Sequence, residues 1–451
     1  MAGLVILDGR VAPPRGTFTQ GGTPPSLHLL GGDRPLAFVV KGSLLFGLEP
    51  KAFASIQDNP TAQEELVNSL RTRHRNISTV PPVPLSAPNS ISLNIAQSCN
   101  LSCSYCYAEE GRFGGRASMM SLETAFAAID RLFAEAVGQR VTVGFIGGEP
   151  FLNREVLYAS VEHAMVRSHE TGSPVGFSVT TNGTLLTASD LDLLRRHSFV
   201  VSVSLDGGAD TNDRHRKSCN GKSGFQAAIR SLQPLLQNPG KVRIVARCTI
   251  TREDLRVLNR IDALADAGFS EIGVSPLRTS PKPGLVLQDD DWPILLDEMV
   301  RAAGSEKERL RSGLALRFSN LAIALKQLHA GYSKPLPCGA AASYVSVSTR
   351  GEYFTCHRTI DNPRFKIGNE AFGLSQEKRE QFLRSRHVDR QEPCRSCWAR
   401  YLCGGGCHAE VLAAGRSGCD YIRGWLEYCL RFYDQALSEF PSLFGEGEIG
   451  S

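Results

Sequence analysis

The sequence lacks the features that would place the protein in a membrane or outside the cell. No apolar run approaches the ~18 residues needed to span a bilayer. The N-terminus also lacks the series of charged, apolar and small residues that is typical of a secretory signal peptide. These absences predict a cytoplasmic protein with no membrane partner.

The chain has little net charge. Its 50 Lys and Arg residues nearly balance its 46 Asp and Glu residues, which leaves a formal charge of +4. A nucleic-acid-binding surface needs a basic excess, so we expect no nucleic-acid partner. The length of 451 residues predicts two or three domains with a substantial buried core.

Cysteine, by contrast, is abundant. The chain has 13 cysteines, most of which fall in two spaced groups. Disulfides are rare in a reducing compartment, so regular cysteine groups in a cytoplasmic chain indicate metal clusters. Cys219 and Cys248 stand apart from both groups, and we interpret them as structural.

The first cysteine group has the spacing C-x3-C-x2-C, formed by Cys99, Cys103 and Cys106. A structural zinc site prefers two C-x2-C pairs, and a thioredoxin-like site needs only one such pair. Three thiolates on one tight loop suit three corners of a cubane iron–sulfur cluster. The fourth iron would then lack a protein ligand and could bind a substrate.

This motif, with the aromatic Tyr105 before its last cysteine, resembles the signature of the radical S-adenosylmethionine (SAM) superfamily. The resemblance implies that Tyr105 belongs to the SAM site and that the free iron chelates the amino and carboxylate groups of SAM. One electron would then cleave SAM to methionine and a 5′-deoxyadenosyl radical. It also implies a protein electron donor, such as flavodoxin or ferredoxin.

The central part of the chain alternates between strands and helices. The predicted strands, rich in β-branched residues, are residues 91–96, 141–146, 175–180, 199–205, 242–250 and 271–276. The predicted helices include residues 122–136, 154–168, 188–196 and 289–302. This order predicts an α/β fold, a partial (βα)6 barrel with a parallel sheet, and places the first cysteine group at the carboxyl edge, where such folds hold their active sites.

Three motifs follow successive strands at that edge: Gly147-Gly-Glu-Pro150, Thr181-Asn-Gly183 and Ser204-Leu-Asp-Gly207. Gly147-Gly-Glu-Pro150 follows the second strand; glycines allow a close approach to the backbone, and Glu149 can accept hydrogen bonds from an ammonium group. The same resemblance assigns Gly147, Gly148 and Glu149 to the methionyl amino group of SAM. It makes Asn182 and Ser204 candidates for the SAM ribose or carboxylate and Arg216 a candidate for the carboxylate, although each could instead belong to a loop or turn.

The first 85 residues form a separate predicted unit. Short apolar runs at residues 26–30, 36–40 and 43–46 predict an antiparallel meander. Two helices follow, over residues 50–56 and 61–71, the second with a capping box from Thr61 to Glu64, and the prolines of residues 81–84 predict a linker. The unit resembles a winged-helix peptide-recognition domain, and the alternative is a plain capping subdomain.

The second cysteine group resembles the SPASM domain, which carries two auxiliary four-iron clusters. The spacing C-x2-C-x5-C-x3-C is the specific part of this resemblance; a zinc ribbon would leave several regular cysteines unused. By the resemblance, auxiliary cluster I is held by Cys338, Cys356 and Cys407, and auxiliary cluster II by Cys394, Cys397, Cys403 and Cys419. Cys419 is preferred over Cys429 because the residues after it resemble the start of the family's closing helix. No cysteine stands just before Cys338, so cluster I would have an open iron that could bind a substrate thiolate.

The predicted domains are therefore residues 1–85, 86–305 and 306–451, with SAM and three [4Fe-4S] clusters as cofactors. Within SPASM proteins the sequence looks most like maturases that cross-link cysteine-rich precursor peptides or the small subunit of quinohemoprotein amine dehydrogenase. Sulfatase maturases usually have an aspartate where this chain has His357, our candidate catalytic residue, so oxidation to formylglycine is disfavoured. The remaining alternatives are a radical SAM enzyme acting on a small molecule or making a cofactor, and a non-catalytic electron-transfer protein, which would need neither the barrel nor the glycine motif.

Overall fold

The computed structural model describes residues 6–7, 10–11, 24–73, 86–218 and 221–445. The predicted linker at residues 81–84 and the predicted structural role of Cys219 lie outside these residues.

The N-terminal part contains the predicted meander and both predicted helices. A short antiparallel pair, β1 (Ile6–Leu7) and β2 (Arg10–Val11), precedes the antiparallel sheet of β3 (Leu27–Leu30), β4 (Leu36–Val39) and β5 (Leu44–Gly47). Helices α1 (Pro50–Ile56) and α2 (Pro60–Arg73) follow. The central strand β4 is fully buried, so this sheet has its own small core.

The predicted capping box of α2 is wrong. The helix begins one residue earlier, at Pro60, and the Asn59 side chain accepts a hydrogen bond from the Ala62 backbone at 3.1 Å. Proline is favoured in the first helical position because its fixed φ suits the helix and its missing N–H would have no partner there. Asn59 therefore caps the helix in place of Thr61.

The predicted fold class is confirmed. In the described chain six parallel strands lie in sequence order: β6 (Ser90–Gln97), β8 (Val141–Gly147), β9 (Val175–Thr181), β10 (Val200–Ser204), β11 (Arg243–Ile250) and β12 (Glu271–Pro276). The short strand β7 (Ser118–Met119) pairs antiparallel with β6 and was not predicted. The sheet does not close on itself, so the barrel is partial.

Helices connect these strands. They are α3 (Leu122–Glu135), α4 (Arg154–Thr171), α5 (Ala188–Arg196), α6 (Ala209–His215), α7 (Gly224–Gln237), α8 (Leu258–Asp266), α9 (Asp291–Arg311) and α10 (Ser319–His329). Helix α9 is nine residues longer at its C-terminal end than predicted. The predicted boundary between residues 305 and 306 falls inside this continuous helix.

The free edge of β12 is covered by a neighbouring segment. The Asn320 side chain accepts a hydrogen bond from the Val274 N–H at 2.9 Å and donates one to the Val274 carbonyl at 3.0 Å. The Ile272 N–H donates to the Arg317 carbonyl at 2.8 Å. These contacts occupy backbone groups of β12 that another strand would otherwise use.

The C-terminal part extends the barrel sheet at the opposite edge. Its strands are β13 (Tyr344–Val347), β14 (Glu352–Phe354), β15 (Lys366–Asn369) and β16 (Gly373–Leu374), and its helices are α11 (Gln376–Arg386), α12 (Arg400–Cys403), α13 (His408–Ala414) and α14 (Cys419–Glu439). Strand β13 pairs parallel with β6, although about 250 residues separate the two strands. The second cysteine group is thereby fixed beside the strand that carries the first.

Among the helices of the described residues, none combines the length and the apolar character required to cross a bilayer.

Candidate active site

A cavity of about 600 Å³ lies inside the partial barrel. The first cysteine group lies at the carboxyl ends of the strands, and residues from the second cysteine region form part of the cavity wall. The predicted site residues that line it are Cys99, Cys103, Tyr105, Cys106, Gly147, Gly148, Asn182, Ser204, Arg216 and His357. Of the residues predicted for the SAM site, Glu149 alone is absent from this wall.

The loop that carries the first cysteine group is tied to the segment after β10. The Ser102 N–H donates to the Lys217 carbonyl at 3.1 Å, and the Ser104 N–H donates to the His215 carbonyl at 3.0 Å. The Ser104 hydroxyl also lies 2.8 Å from His215 Nδ1. The basic cluster at residues 214–216, which could have been a solvated loop, therefore fixes the shape of the cysteine loop.

Tyr105 anchors this loop through its hydroxyl group. That group donates to the Asp206 carboxylate at 2.5 Å and accepts a hydrogen bond from Arg216 at 2.8 Å. Asp206 is fully buried and also accepts the Thr249 N–H at 2.9 Å. The role of Asp206 was not predicted, because its only signal in the sequence is its place in the Ser204-Leu-Asp-Gly207 segment after a strand.

Gly147 and Gly148 line the cavity and also allow two backbone segments to approach each other closely. The Gly148 N–H donates to the Ala96 carbonyl at 2.7 Å, and the Glu149 N–H donates to the Ser98 carbonyl at 2.9 Å. A Cβ atom on Gly148 would lie 2.2 Å from the Ser98 oxygen, so only glycine permits this approach. The pair brings the second strand's loop directly against the start of the cysteine loop.

Glu149 lies behind the cavity wall and is fully buried. Its carboxylate accepts hydrogen bonds from the Thr181 hydroxyl at 2.7 Å, the Asn182 N–H at 2.8 Å and the Phe151 N–H at 3.2 Å. Burial raises its pKa to about 7, although these hydrogen bonds act in the opposite direction. The carboxylate faces these protein donors, and its contact with a ligand ammonium stays a prediction.

Asn182 and Ser204 differ in how they face the cavity. The Asn182 amide donates to Asn100 Oδ1 at 2.9 Å and lies 3.7 Å from the Cys99 sulfur, while its oxygen accepts the Thr184 N–H at 2.9 Å. These contacts hold the cysteine loop and use both donors of the amide. Ser204, at the end of β10, remains the better placed of the two for a polar ligand.

The chemistry of the first cysteine group fits a metal cluster. Burial raises the pKa of the Cys99 thiol to about 12, and charge on Cys103 and Cys106 raises it further. Metal binding offsets the cost of ionising a buried thiol, because cysteine binds a metal as the thiolate. Among the described residues no group of three His, Cys, Asp or Glu side chains is arranged to hold a single metal ion, whereas a cubane cluster distributes its thiolates over separate irons.

The second cysteine group surrounds a smaller cavity of about 160 Å³. All four cysteines predicted for auxiliary cluster II line it, together with Cys407: they are Cys394, Cys397, Cys403 and Cys419. Arg416 and Arg423 also lie in its wall, and their charge lowers the pKa of Cys419 against the larger, opposite effect of burial. A cavity of thiols beside arginines suits an anionic iron–sulfur cluster.

Local backbone geometry explains how these cysteines converge. Gly404, Gly405 and Gly406, which join Cys403 to Cys407, all have positive φ values, of 71°, 90° and 77°. Cys419 is the first residue of α14, whose N-terminal partial positive charge favours a thiolate. Cys429 is fully buried in the hydrophobic core, more than two turns further along that helix, and of these two cysteines Cys419 is the one that lines the smaller cavity.

The three cysteines predicted for auxiliary cluster I are neighbours in space. Burial raises the pKa of Cys338 and of Cys356, and charge on Cys407 raises both further. Cys356 is buried and Cys338 is exposed. The segment before Cys338 contains Leu336 and Pro337, neither of which is a metal ligand.

An ion pair separates the large cavity from the second cysteine region. Arg358 donates to Glu410 at 2.9 Å and lies over the Tyr107 ring at 4.6 Å, and Glu410 lines both cavities. His357, beside Arg358, contacts the Tyr344 hydroxyl through Nδ1 at 2.9 Å, and burial lowers its pKa to about 4. One wall thus joins the two cysteine groups, which the sequence alone could not show.

The sequence is similar to the radical SAM superfamily and to two maturases. Residues 93–261 match the model of the radical SAM superfamily. The chain is 23% identical to the serine-type anaerobic sulfatase-maturating enzyme of Klebsiella aerogenes, over 78% of this chain and 87% of that enzyme. It is 27% identical to the mycofactocin maturase MftC of Mycolicibacterium smegmatis, over 75% of this chain and 85% of that protein.

A solved structure shows the same fold. Native anSMEcpe with bound AdoMet and Kp18Cys peptide superposes with a TM-score of 0.66 at 19% sequence identity, over 78% of this chain and 100% of that one.

Proposed function

Because residues 93–261 of this chain form a radical SAM domain, we propose that the protein is a peptide maturase. It takes a hydrogen atom from a ribosomally made precursor peptide or small protein by means of a 5′-deoxyadenosyl radical. It then joins two positions of that peptide through a thioether or carbon–carbon bond. Two hydrogen atoms leave the peptide overall, one to the deoxyadenosyl group and one as a proton and an electron.

One observation carries this proposal: the large cavity is bounded by both cysteine regions. The first group lines it directly, and His357 and Arg358, which follow Cys356, line it as well. A substrate in this cavity would therefore be near both a radical source and an electron acceptor. The relatives that act on sulfatases and on mycofactocin precursors support a peptide or protein substrate.

The cofactors proposed are SAM and three [4Fe-4S] clusters. Cys99, Cys103 and Cys106 would hold the first cluster, which would supply the electron for SAM cleavage. Auxiliary cluster I is assigned to Cys338, Cys356 and Cys407, and auxiliary cluster II to Cys394, Cys397, Cys403 and Cys419. Tyr105, Arg216 and Asn182 hold the loop around the first cluster, and Gly147, Gly148 and Ser204 offer the surface for SAM. Flavodoxin or ferredoxin is the proposed electron donor.

A second candidate is oxidation of a serine or cysteine to formylglycine, which the likeness to the Klebsiella aerogenes enzyme supports. His357 disfavours it, because sulfatase maturases usually carry an aspartate there. In this chain the position holds a buried imidazole bonded to the Tyr344 hydroxyl. A cross-linking reaction therefore remains the preferred reading.

Mass spectrometry of a short peptide encoded beside this gene, produced together with the enzyme, tests the proposal. A cross-link removes two hydrogen atoms and leaves no aldehyde. Formylglycine gives an aldehyde that reacts with a hydrazide probe. An unmodified peptide in the presence of SAM cleavage contradicts the peptide-maturase assignment.

The N-terminal unit is proposed to bind the leader of the precursor. The edge strands β3 and β5 offer backbone groups to which an extended peptide can add as one more strand. Variants in this unit should then raise the apparent KM for full-length precursor and leave SAM cleavage unchanged. A core peptide without its leader should react equally poorly with the variants and the wild type.

A further inference from the structure

The wall of the large cavity contains an arginine whose positive charge is not paired with a carboxylate of any described residue. Arg243 pairs with Glu271 through two contacts of 2.7 and 2.8 Å, and Arg358 pairs with Glu410. Arg216 is held beside the cysteine loop by Tyr105. Arg247 also lines the cavity, and no hydrogen bond or ion pair joins its guanidinium to another described residue.

The position of Arg247 separates it from the cysteine loop. It lies on β11, level with Ser204 on β10 and with Gly273 on β12. Thr249, whose N–H binds the Asp206 carboxylate near Tyr105, is two residues closer to the loop. Arg247 therefore lies deeper in the barrel than the residues that contact the cysteine loop.

Arg247 and Ser319 come together over Gly273. A Cβ atom on Gly273 would lie 2.7 Å from Arg247 Nη1 and 2.8 Å from the Ser319 hydroxyl oxygen, so both groups pack directly against this glycine. The Ser319 side chain is 7% exposed, and its oxygen has no hydrogen-bond partner.

Ser319 is also the first residue of α10, whose N-cap residue, Phe318, provides no side-chain cap. A guanidinium and an unused hydroxyl both favour an anion. The Phe318 N–H is already occupied, because it donates to the buried Glu306 carboxylate at 3.2 Å. Desolvation lowers the pKa of Arg247.

We propose that Arg247 and Ser319 form a subsite for a carboxylate of the peptide substrate, either an Asp or Glu side chain or the peptide C-terminus. This inference rests on the proposed function. A carboxylate matches the planar guanidinium in a two-point contact, and the Ser319 hydroxyl can donate to the same group. The SAM carboxylate is the other carboxylate expected in the cavity, but it must lie at the cysteine loop, where Arg216 stands.

Binding of defined peptides to the holoenzyme with SAM tests this subsite. The probes are acetylated alanine pentapeptides whose central residue is Glu or Gln and whose C-terminus is free or amidated, titrated by saturation-transfer NMR. Wild type should bind a peptide with one carboxylate at least tenfold more tightly than the neutral peptide. The Glu probe and the free C-terminus probe then distinguish the two sources.

Arg247→Met should abolish this preference and leave the Kd for SAM within twofold of wild type. Arg230→Met, which removes the same charge from the exposed face of α7, should retain the preference. Gly273→Ala keeps the charge, but its Cβ atom would collide with the Arg247 and Ser319 side chains and displace them, so it should weaken carboxylate binding as well. It therefore tests the subsite even if Arg247→Met folds poorly.

Two results would overturn the inference. One is wild-type binding that does not distinguish carboxylate from amide. The other is a loss of SAM affinity in Arg247→Met with an unchanged peptide preference, which would assign the guanidinium to SAM. Because the titration does not require turnover, a carboxylate preference combined with an unmodified precursor would contradict the proposed function and leave the subsite intact.

Discussion

Glu149 is a buried carboxylate that helps to shape the candidate site from behind the cavity wall. Its oxygens accept hydrogen bonds from Thr181, Asn182 and Phe151, and Asn182 in turn contacts Cys99. In Glu149→Gln one carboxylate oxygen becomes an NH₂ group, which is a hydrogen-bond donor and cannot accept a hydrogen bond from the donors that face it. Each unsatisfied buried group costs about 1–3 kcal/mol.

We expect Glu149→Gln to lower SAM affinity at least tenfold while the three cysteines retain their iron, because about 1.4 kcal/mol corresponds to a factor of ten. Equilibrium dialysis with labelled SAM and an iron assay measure the two effects. Glu155→Gln, at an exposed position in the first turn of α4, is the control and should bind SAM normally. Equal affinity for both variants would show that the hydrogen bonds of Glu149 do not matter for SAM binding.

Cys419 and Cys429 provide a matched pair on one helix. Cys419→Ala removes a thiol from the smaller cavity and should lower the iron content by about four atoms per chain. Cys429→Ala should keep all iron and reduce the free energy of unfolding by roughly 1 kcal/mol, since it deletes only a buried sulfur. Iron analysis and thermal unfolding under anaerobic conditions measure these two effects. Loss of iron in Cys429→Ala and full iron in Cys419→Ala would identify Cys429 as the ligand instead.

At the scale of elements, the turn from Cys403 to Cys407 depends on its glycines. A Cβ atom on Gly404 would lie 2.5 Å from the Pro337 Cα, and the residue has a φ of 71°. Gly404→Ala should therefore cost about 1–3 kcal/mol of stability and release iron from the smaller cavity. Gly284→Ala, where a Cβ atom would meet nothing within 4 Å, should leave the melting temperature and iron content unchanged. Wild-type iron in Gly404→Ala would mean that the turn can rearrange without cost.

Elements that depend on local pattern were predictable from the sequence. The β-branched runs located all six barrel strands to within two residues at each end, and the helix over residues 188–196 was exact. Contacts between distant residues were not predictable. The pairing of β13 with β6 and the Tyr105–Asp206 hydrogen bond join residues 100 or more positions apart, and no local preference encodes them. The predicted cap of α2 was wrong because Asn59 and Thr61, on either side of Pro60, are both possible cap residues. Pro60 occupies the first helical position, which makes Asn59 the cap.

At the scale of the whole molecule, the N-terminal sheet is packed onto the second cysteine region. His28 stacks on Trp398 at 3.9 Å, next to Cys397, and Arg400 donates to the Pro25 carbonyl at 3.1 Å. Further along the interface, Ser43 and Ser333 hydroxyls lie 3.0 Å apart, and Arg431 donates to the Gly31 carbonyl at 2.7 Å. These contacts make the sheet a structural support, whether or not it also binds a leader.

Deleting residues 1–80 should therefore expose Trp398, shift its fluorescence to longer wavelength and lower the iron content of the smaller cavity. His28→Ala removes only the stacked ring and should produce a smaller change of the same kind. A truncated protein with the melting temperature and iron of the full chain would show instead that the N-terminal unit is independent and acts in recognition alone.

Total iron tests the assignment of the whole chain. Well-reconstituted protein should hold about 12 iron atoms, and changing Cys99, Cys103 and Cys106 together to Ala should remove roughly a third of them along with all SAM cleavage. Iron near four atoms per wild-type chain would contradict the two auxiliary clusters.

The Asn320 side chain at the edge of β12 has a consequence for how the protein behaves in a crowded cell. An incomplete barrel leaves a strand whose free backbone groups can act as a template for another chain, a route to polymerisation and amyloid-like growth. The Asn320 side chain forms hydrogen bonds with both the N–H and the carbonyl of Val274, so these two groups cannot pair with another strand. This protection does not require an additional strand that would close the barrel. The barrel can therefore remain open while its edge strand is less available to pair with another chain.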